Sequence, residues 1–384
     1  MQNIIFVSHG LTLESPVSNR VLKRIDNYSR VLNQASELDA KVVVYVKSNH
    51  FELNSNKYPI YPSLEMVPVS TSTAYHFHFL IRLIRRCLLQ SKAPTLLIAG
   101  DPWKDALIVL AIKRMLWWVP IYSQISIHGD LVKQESSLLK RMIKKTWLFI
   151  SLKDSDSVRV VSEHLRDELI EEFGIPQSKI FIAPIPVSLR EREETQQSSK
   201  HFIGFVGRLH YERGLNEFIE IISKLSRSSM EFNYLIVGDG PDRASFLEKL
   251  SSIVGPKKID YRGFLNEDEL SKVWRDCKIL LSTAPSEGYG LTLRESLLNG
   301  TFVVARKNAG TLAAQVEFGY GIHLYRDIDE AVTFIESLIR EAFPAYAIEE
   351  IRQQVLKSNK KSLNSLINSW LRNSQSTDET QDSS

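Results

Sequence analysis

Pro285-Ser286-Glu287-Gly288-Tyr289-Gly290-Leu291-Thr292-Leu293-Arg294-Glu295-Ser296-Leu297-Leu298-Asn299-Gly300-Thr301-Phe302-Val303-Val304-Ala305 reads as a loop, a helix and a strand in succession. Two carboxylates, Glu287 and Glu295, bracket seven residues, and Tyr289 stands between two glycines. The glycines permit close backbone approach, Leu291 to about Asn299 reads as a helix, and Phe302–Ala305 is a short, continuously apolar run. Runs of that kind indicate parallel strands buried on both faces.

The same grammar extends on both sides. Phe202–Val206, Tyr234–Val237, Ile259–Tyr261 and Ile279–Leu281 are further short strands separated by helical patterns. The alternation implies a parallel sheet with helices on both faces, in which ligands bind beyond the carboxyl ends of the strands. Gly207-Arg208, Gly238-Asp239-Gly240, Gly263, Pro285-Ser286-Glu287 and Asn308-Ala309-Gly310 each follow a strand, so five loops converge on one edge. Gly238-x-Gly240 lacks the final glycine of a dinucleotide fingerprint, which argues against a dehydrogenase.

A second unit of the same type precedes this one. Ile4–Ser8, Val42–Val46, Leu96–Ala99, Ile121–Ile127, Val158–Val161 and Ile180–Ala183 are its expected strands. Ser162 should cap a helix carrying Leu165, Leu169 and Phe173, ended by Gly174 and Pro176. The polar stretch near residues 188–201 divides the chain into domains at 1–188 and 202–355, joined by a linker at 189–201. A helix at 356–373 is expected to return to the first domain, and 374–384 reads as a disordered tail.

With 384 residues, 43% hydrophobic and 24% charged, the chain has a globular composition and room for two domains. Residues 1–188 hold 23 Lys/Arg against 17 Asp/Glu, so the modest net charge of +3 is concentrated in the first half. A membrane face or phosphorylated lipid would suit that imbalance, and nucleic acid is not an expected partner. The stretches Phe79–Leu89 and Leu138–Phe149 mix cations with apolar residues and suit either an anionic membrane or a core-packing helix with a basic outer face. Cys87 and Cys277 lie far apart with no metal-binding spacing, which fits a reducing, cytoplasmic compartment. No signal peptide and no spanning segment is expected, since the apolar run from Ala106 stops at Lys113-Arg114.

Chemistry concentrates in two segments. Phe205-Val206-Gly207-Arg208-Leu209 leads through Arg213-Gly214 into a helix, supplying two permanently charged guanidinium groups suited to phosphate oxygens. The helix opening at Leu291 would turn its first N–H groups and its dipole toward a diphosphate. Glu287 can accept from sugar hydroxyls, and Glu295, one turn into the helix, from a ribose diol. Each carboxylate taken alone is most simply a surface acid. Together with the arginine segment they read as a site for a nucleoside diphosphate sugar.

The second half resembles the retaining GT-B glycosyltransferases of family GT4, the glycosyl transferases group 1. The matching segments are FVGRLHYERGL (205–215), YLIVGDGPDR (234–243), YRGFLNEDEL (261–270) and PSEGYGLTLRESLLNGTFVVA (285–305). The resemblance implies that Arg208 and Arg213 hold the diphosphate with Gly290 and Leu291. It further implies ribose at Glu295, the transferred sugar at Glu287, Gly288 and Tyr289, and the base beside Phe264. Family members usually carry Lys where Arg213 stands. In the first half, Ser126-Ile127-His128-Gly129 looks like the family's strand-end histidine, so His128 joins Glu287 as a candidate catalytic residue. Ser8-His9-Gly10 stands where a glycine-rich acceptor-side loop is usual, and Pro184-Ile185-Pro186-Val187-Ser188 replaces the usual Pro-Asn-Gly-Val-Asp.

The expected fold is α/β, GT-B, with two Rossmann-like domains whose parallel sheets face a central cleft. The expected reaction moves a hexosyl-type group from a nucleotide sugar to a hydroxyl of a glycan or lipid-linked acceptor, with retention. No aspartate dyad for a metal is evident, so no metal and no cofactor is expected, and the arginines with the helix terminus neutralise the leaving group. Two rivals share the fold: a sugar-nucleotide epimerase or hydrolase that would use the same donor site without an acceptor, and a non-catalytic glycan-binding relative that would have lost the donor contacts, against which the intact Arg208, Arg213, Glu287 and Glu295 set argues.

Overall fold

The computed structural model describes residues 3–8, 11–12, 15–36, 41–47, 61–69, 75–90, 93–129, 138–187 and 202–375. Gly10, the 189–201 linker and residues 376–384 of the expected tail lie outside them. The chain divides into two compact units, Met1–Pro184 with Lys361–Ser384, and Ile185–Lys360.

In the first unit the elements follow as β1 (Asn3–Val7), α1 (Pro16–Ser36), β2 (Lys41–Lys47), β3 (Leu64–Val69), α2 (Tyr75–Leu89) and β4 (Thr95–Ala99). They continue with α3 (Lys104–Met115), β5 (Ile121–Ile127), α4 (Leu138–Asp154), β6 (Ser157–Val160), α5 (Glu163–Phe173) and β7 (Ile180–Ile182). Every strand pair is parallel, and the order across the sheet is β3-β2-β1-β4-β5-β6-β7. Ile4 lies opposite both Val42 and Leu96, and all three side chains are buried in one cluster. The Ser162 hydroxyl accepts from the Leu165 N–H, and Gly174 closes α5 at φ 60°, as the sequence pattern requires.

The second unit contains β8 (Phe202–Val206), α6 (Leu215–Leu225), β9 (Asn233–Val237), α7 (Arg243–Val254), β10 (Ile259–Gly263) and α8 (Glu267–Asp276). Then come β11 (Cys277–Ser282), α9 (Leu291–Leu298), β12 (Phe302–Arg306), α10 (Ala309–Phe318), β13 (Ile322–Tyr325), α11 (Ile328–Leu338) and α12 (Ala345–Gln375). This sheet is also parallel throughout, ordered β10-β9-β8-β11-β12-β13. Tyr234 and Ile236 of β9 enter one hydrophobic cluster while Leu235 and Val237 enter the other. Alternate side chains thus go to opposite faces of a strand covered on both sides, which is why its sequence is continuously apolar.

Two edge strands, β3 and β13, have no counterpart in the sequence reading. Glu65 and Pro68 interrupt one and His323 the other. An edge strand tolerates both, because one of its sides carries no ladder.

The boundaries also differ from expectation. Val187 packs in a cluster of the second unit, and its N–H donates to the Asn359 side chain at 2.9 Å, so the first unit's initial segment ends at Pro184 rather than residue 188. The last helix contributes to both units. Ile351 and Val355 are buried in the second unit's core, and Leu366, Ile367 and Trp370 in the first unit's. The changeover falls at Lys361, later than residue 356, and the helix runs through Ser374 and Gln375.

Candidate functional site

The second sheet reverses its strand order between β8 and β11, and the loops that leave those two strands carry both arginine and carboxylate motifs. In doubly wound sheets such a reversal opens a crevice, because the two crossovers leave toward opposite faces. The loops are packed backbone to backbone. Gly214 (φ 70°) lies so close to the Thr283 carbonyl that a Cβ would overlap it, and the Thr283 hydroxyl donates to the Arg213 carbonyl at 2.9 Å. Gly310 abuts the Glu287 carbonyl in the same manner, which leaves no room for a side chain there.

Arg213 ends a short 3-10 turn (Tyr211–Arg213), and its Nη1 lies 2.9 Å from Glu287 Oε2. The guanidinium is partly exposed and the carboxylate mostly buried. Arg208, exposed over 58% of its side chain, pairs with Glu212 at 2.7 Å within its own loop. Glu212 is not among the residues the sequence pattern singles out.

Gly290 adopts φ 70° and ψ 50°, a left-handed conformation that favours glycine, and places its residue at the N-cap of α9. The first N–H groups of α9 therefore begin at Leu291, beside the Arg213–Glu287 pair. Glu295 sits one turn into the helix, half-buried. Gly288 lies in the loop between the pair and the cap. Phe264, 42% exposed, follows β10 on the same carboxyl edge, where the Gly263 carbonyl accepts from the Gly238 N–H at 2.7 Å.

Tyr289 turns its side chain inward and leaves its backbone on the loop, the part of the residue expected to meet a sugar. Its ring is buried, its hydroxyl bonds to Ser358, and burial raises its pKa. What it can offer a ligand is backbone alone. The cause is Arg294, which the sequence reading passed over. Only 3% of its side chain is exposed, its guanidinium stacks 3.8 Å from the Tyr289 ring centroid, donates to the Tyr289 carbonyl and pairs with Glu317 at 2.6 Å. A charged residue set among Leu291, Leu293, Leu297 and Leu298 was the available signal.

His128 belongs to the first unit, directly after β5. Surrounding protein withholds water from the imidazole, and Arg159 and Arg24 add positive charge, which together lower its pKa from 6.5 to about 3. The side chain nonetheless keeps access to solvent, which argues for a smaller drop. Both observations agree on a neutral imidazole at physiological pH. Gly10 lies outside the described residues. Among the described residues no group of three His, Cys, Asp or Glu side chains is arranged to hold a metal ion.

Comparison with known proteins matches residues 188–362 to "Glycosyl transferases group 1" and residues 29–191 to "Glycosyltransferase Family 4". The chain is 28% identical over 168 residues to the 2-deoxystreptamine glucosyltransferase of Streptomyces kanamyceticus, covering 40% of this chain and 43% of that protein. It spans less than two thirds of the length of the curated relatives it matches. Among solved structures, S. aureus TarM in complex with Fondaparinux, alpha-GlcNAc-glycerol and UDP aligns with a TM-score of 0.70 at 12% identity, covering 98% of this chain and 100% of that one. Anabaena HepE in complex with UDP-glucose aligns at 0.68 and 12% identity, over 95% and 99% of the two chains. At these identities the structural likeness establishes the fold, two Rossmann-like parallel-sheet domains of the GT-B type.

Proposed function

Because the chain belongs to the GT4-type GT-B glycosyltransferases, we propose that it transfers a hexosyl-type group from a nucleoside diphosphate sugar to a hydroxyl of a glycan or lipid-linked acceptor, with retention of configuration. The observation that carries this reading is the 2.9 Å Arg213–Glu287 pair at the strand-order reversal, next to the start of α9. A donor of this kind has a diphosphate joined to a sugar, and the pair offers a cation and a carboxylate side by side.

In this reading Arg208, Arg213 and the N–H groups from Leu291 bind the diphosphate through the backbone turn at Gly290. As the glycosidic bond breaks, negative charge gathers on the leaving phosphate, where fixed cations and a helix N-terminus stabilise it without a metal ion. Glu287, with Gly288 and the Tyr289 backbone, orients the transferred sugar. Glu295 accepts from the ribose and Phe264 lies against the base. His128 is assigned as a catalytic residue from the SIHG segment, in neutral form. The acceptor attacks on the face the phosphate leaves, and a phosphate oxygen takes its proton. Uridine is the favoured base, since the TarM and HepE complexes are with UDP and UDP-glucose. A role in surface polysaccharide or glycolipid synthesis, on the cytoplasmic side of the cell, follows from such an acceptor.

The test is a thermal-shift screen of nucleoside diphosphates and their sugars, followed by turnover with and without acceptor in EDTA. Stabilisation by UDP and a UDP-sugar, with transfer that needs an acceptor and keeps the donor's anomeric configuration, is expected. Release of an isomerised or hydrolysed sugar nucleotide without acceptor would instead establish the epimerase or hydrolase alternative.

A further inference from the structure

One face of the first sheet, covered by α1 and α12, carries polar side chains in register. Gln124 and Ser126 lie on the same side of β5, since alternate residues of a strand share a side. Their parallel partners in β6 are Ser157 and Arg159. At the inner level Gln124 is fully engaged. Its amide donates to Ser157 and Ser369, and its carbonyl accepts from the Trp370 indole. The outer level, nearer the carboxyl edge, differs. Ser126 Oγ and Arg159 Nη2 are both buried, and neither has a hydrogen-bond partner among the described residues.

The Arg159 guanidinium is held in place. Nε donates to the Ala183 carbonyl at 3.0 Å, just past the carboxyl end of β7. Cζ lies 5.6 Å from the centroid of the Tyr28 ring, which packs edge-on against Trp370. Only 5% of the residue is exposed, and no carboxylate pairs with it among the described residues. The acids of adjoining segments are engaged elsewhere: Asp26 by Arg30 and the Ser63 N–H, Asp156 by Lys113 and Ser123. A buried cation without a counter-charge is unfavourable, and a donor left unpaired beside it calls for an acceptor of opposite charge. More positive charge faces the same place. Arg24, one turn before Tyr28 on α1, acts together with Arg159 on the His128 imidazole, two residues beyond Ser126, and no carboxylate offsets them there.

We propose that Arg159 and Ser126 bind a phosphate ester carried by the acceptor, which enters at the carboxyl edge of the first sheet beside His128. The guanidinium N–H and the serine O–H both donate, and a phosphate has oxygens enough to accept from each. Two arginines suit its nearly double charge better than the single charge of a carboxylate. That the ester belongs to an acceptor rests on the proposed glycosyl transfer. Its binding does not, and is measured without nucleotide.

The test follows the His128 imidazole of the full chain by NMR at neutral pH and constant ionic strength. Hexyl phosphate, glucose 6-phosphate and inorganic phosphate are added in turn, with hexanol and glucose as uncharged controls. At least one ester should shift the His128 resonances saturably, and the controls should not. Preference for hexyl phosphate identifies a lipid phosphate, and preference for glucose 6-phosphate a glycan phosphate. Arg208→Ala should respond as the native chain does, which separates this site from the donor diphosphate. Arg159→Met should weaken the response at least about tenfold, the loss of a hydrogen bond to a charged group, and Arg159→Lys should restore only part of it. Ser126→Ala should weaken it about fivefold at a native or higher melting temperature, because Oγ bonds nothing within the described chain. That variant decides the matter even where Arg159→Met does not fold. A native chain silent to both esters, a response to inorganic phosphate alone, or native affinity in Ser126→Ala would each overturn the proposal. Failure of the donor reading looks different: UDP leaves the chain unstabilised while the ester response remains.

Discussion

Arg213 Nη1 and Glu287 Oε2, 74 positions apart in the chain, lie 2.9 Å from each other across the point where the second sheet reverses its order. Neither residue can be set without the other's loop. Gly214 seats one loop on Thr283, and Gly310 seats α10 on Glu287, so backbone contacts fix the distance that the ion pair then closes. Under the proposed function, a diphosphate entering this site would compete with Glu287 for the Arg213 guanidinium.

The two carboxylates should separate in their effects. Glu287→Ala frees Arg213 from its partner, so calorimetry should find UDP affinity unchanged or tighter, while turnover falls by about 2–4 kcal/mol of barrier. Glu295→Ala should weaken UDP itself by about 1–3 kcal/mol, because the ribose is common to donor and product. Equal loss of UDP affinity in both variants would reverse these assignments.

Arg208 is the more accessible cation and shares its loop with Glu212. Arg208→Ala should weaken UDP binding by about 1.5–3 kcal/mol, the scale of a hydrogen bond to a charged group. Glu212→Gln should leave binding intact or improve it. An Arg208→Ala protein with native affinity removes that residue from the diphosphate.

Arg294 should matter for folding before it matters for chemistry. Arg294→Met strands Glu317 and leaves the Tyr289 carbonyl without its donor, a loss of about 2–4 kcal/mol after allowance for the partial exposure of Glu317. A melting temperature several degrees lower is expected. Arg294→Lys should recover little, since an ammonium cannot stack and fork in the same way. Melting unchanged from the native protein in both variants would mean that the loop is held by backbone packing alone.

His128 gives a pH signature. Its folded pKa lies below the ordinary 6.5, so between those values the unfolded chain binds the extra proton. Its contribution to stability is therefore complete above pH 6.5 and declines as pH falls through the lowered folded value. Melting curves of native protein and His128→Asn should run parallel above pH 7 and converge or cross on acidification. In NMR the imidazole resonances of His128 should stay constant from pH 8 to 6, and titration with a midpoint near 6.5 would remove the effect.

Much of this architecture is written in local pattern. The continuous apolar runs of β2, β4 and β9 and the Ser162 and Gly174 caps of α5 each depend on a few neighbouring residues, and all could be read directly. What escaped reading depends on distant partners. β3 and β13 are strands only because one neighbour lends them a ladder. Arg294 looks like an exposed helix residue until Tyr289 and Glu317 close around it. The α4 stripe, exposed at Leu138, Leu139, Met142 and Ile143, allowed either orientation, because periodicity records that one face is apolar and not which way that face turns.

Gln124, buried in β5, donates to Ser369 at 3.1 Å and accepts from the Trp370 indole at 3.1 Å, partners 245 and 246 positions further along. The ribosome delivers that strand long before it delivers those residues. Through the synthesis of everything between, the emerging chain carries a glutamine whose final neighbours do not yet exist, alongside a groove awaiting Leu366, Ile367 and Trp370. Nascent protein arrested within the second unit would present that gap to chaperones and proteases. The order of translation thereby makes the finished packing of the earliest strands a record that the later ones were made.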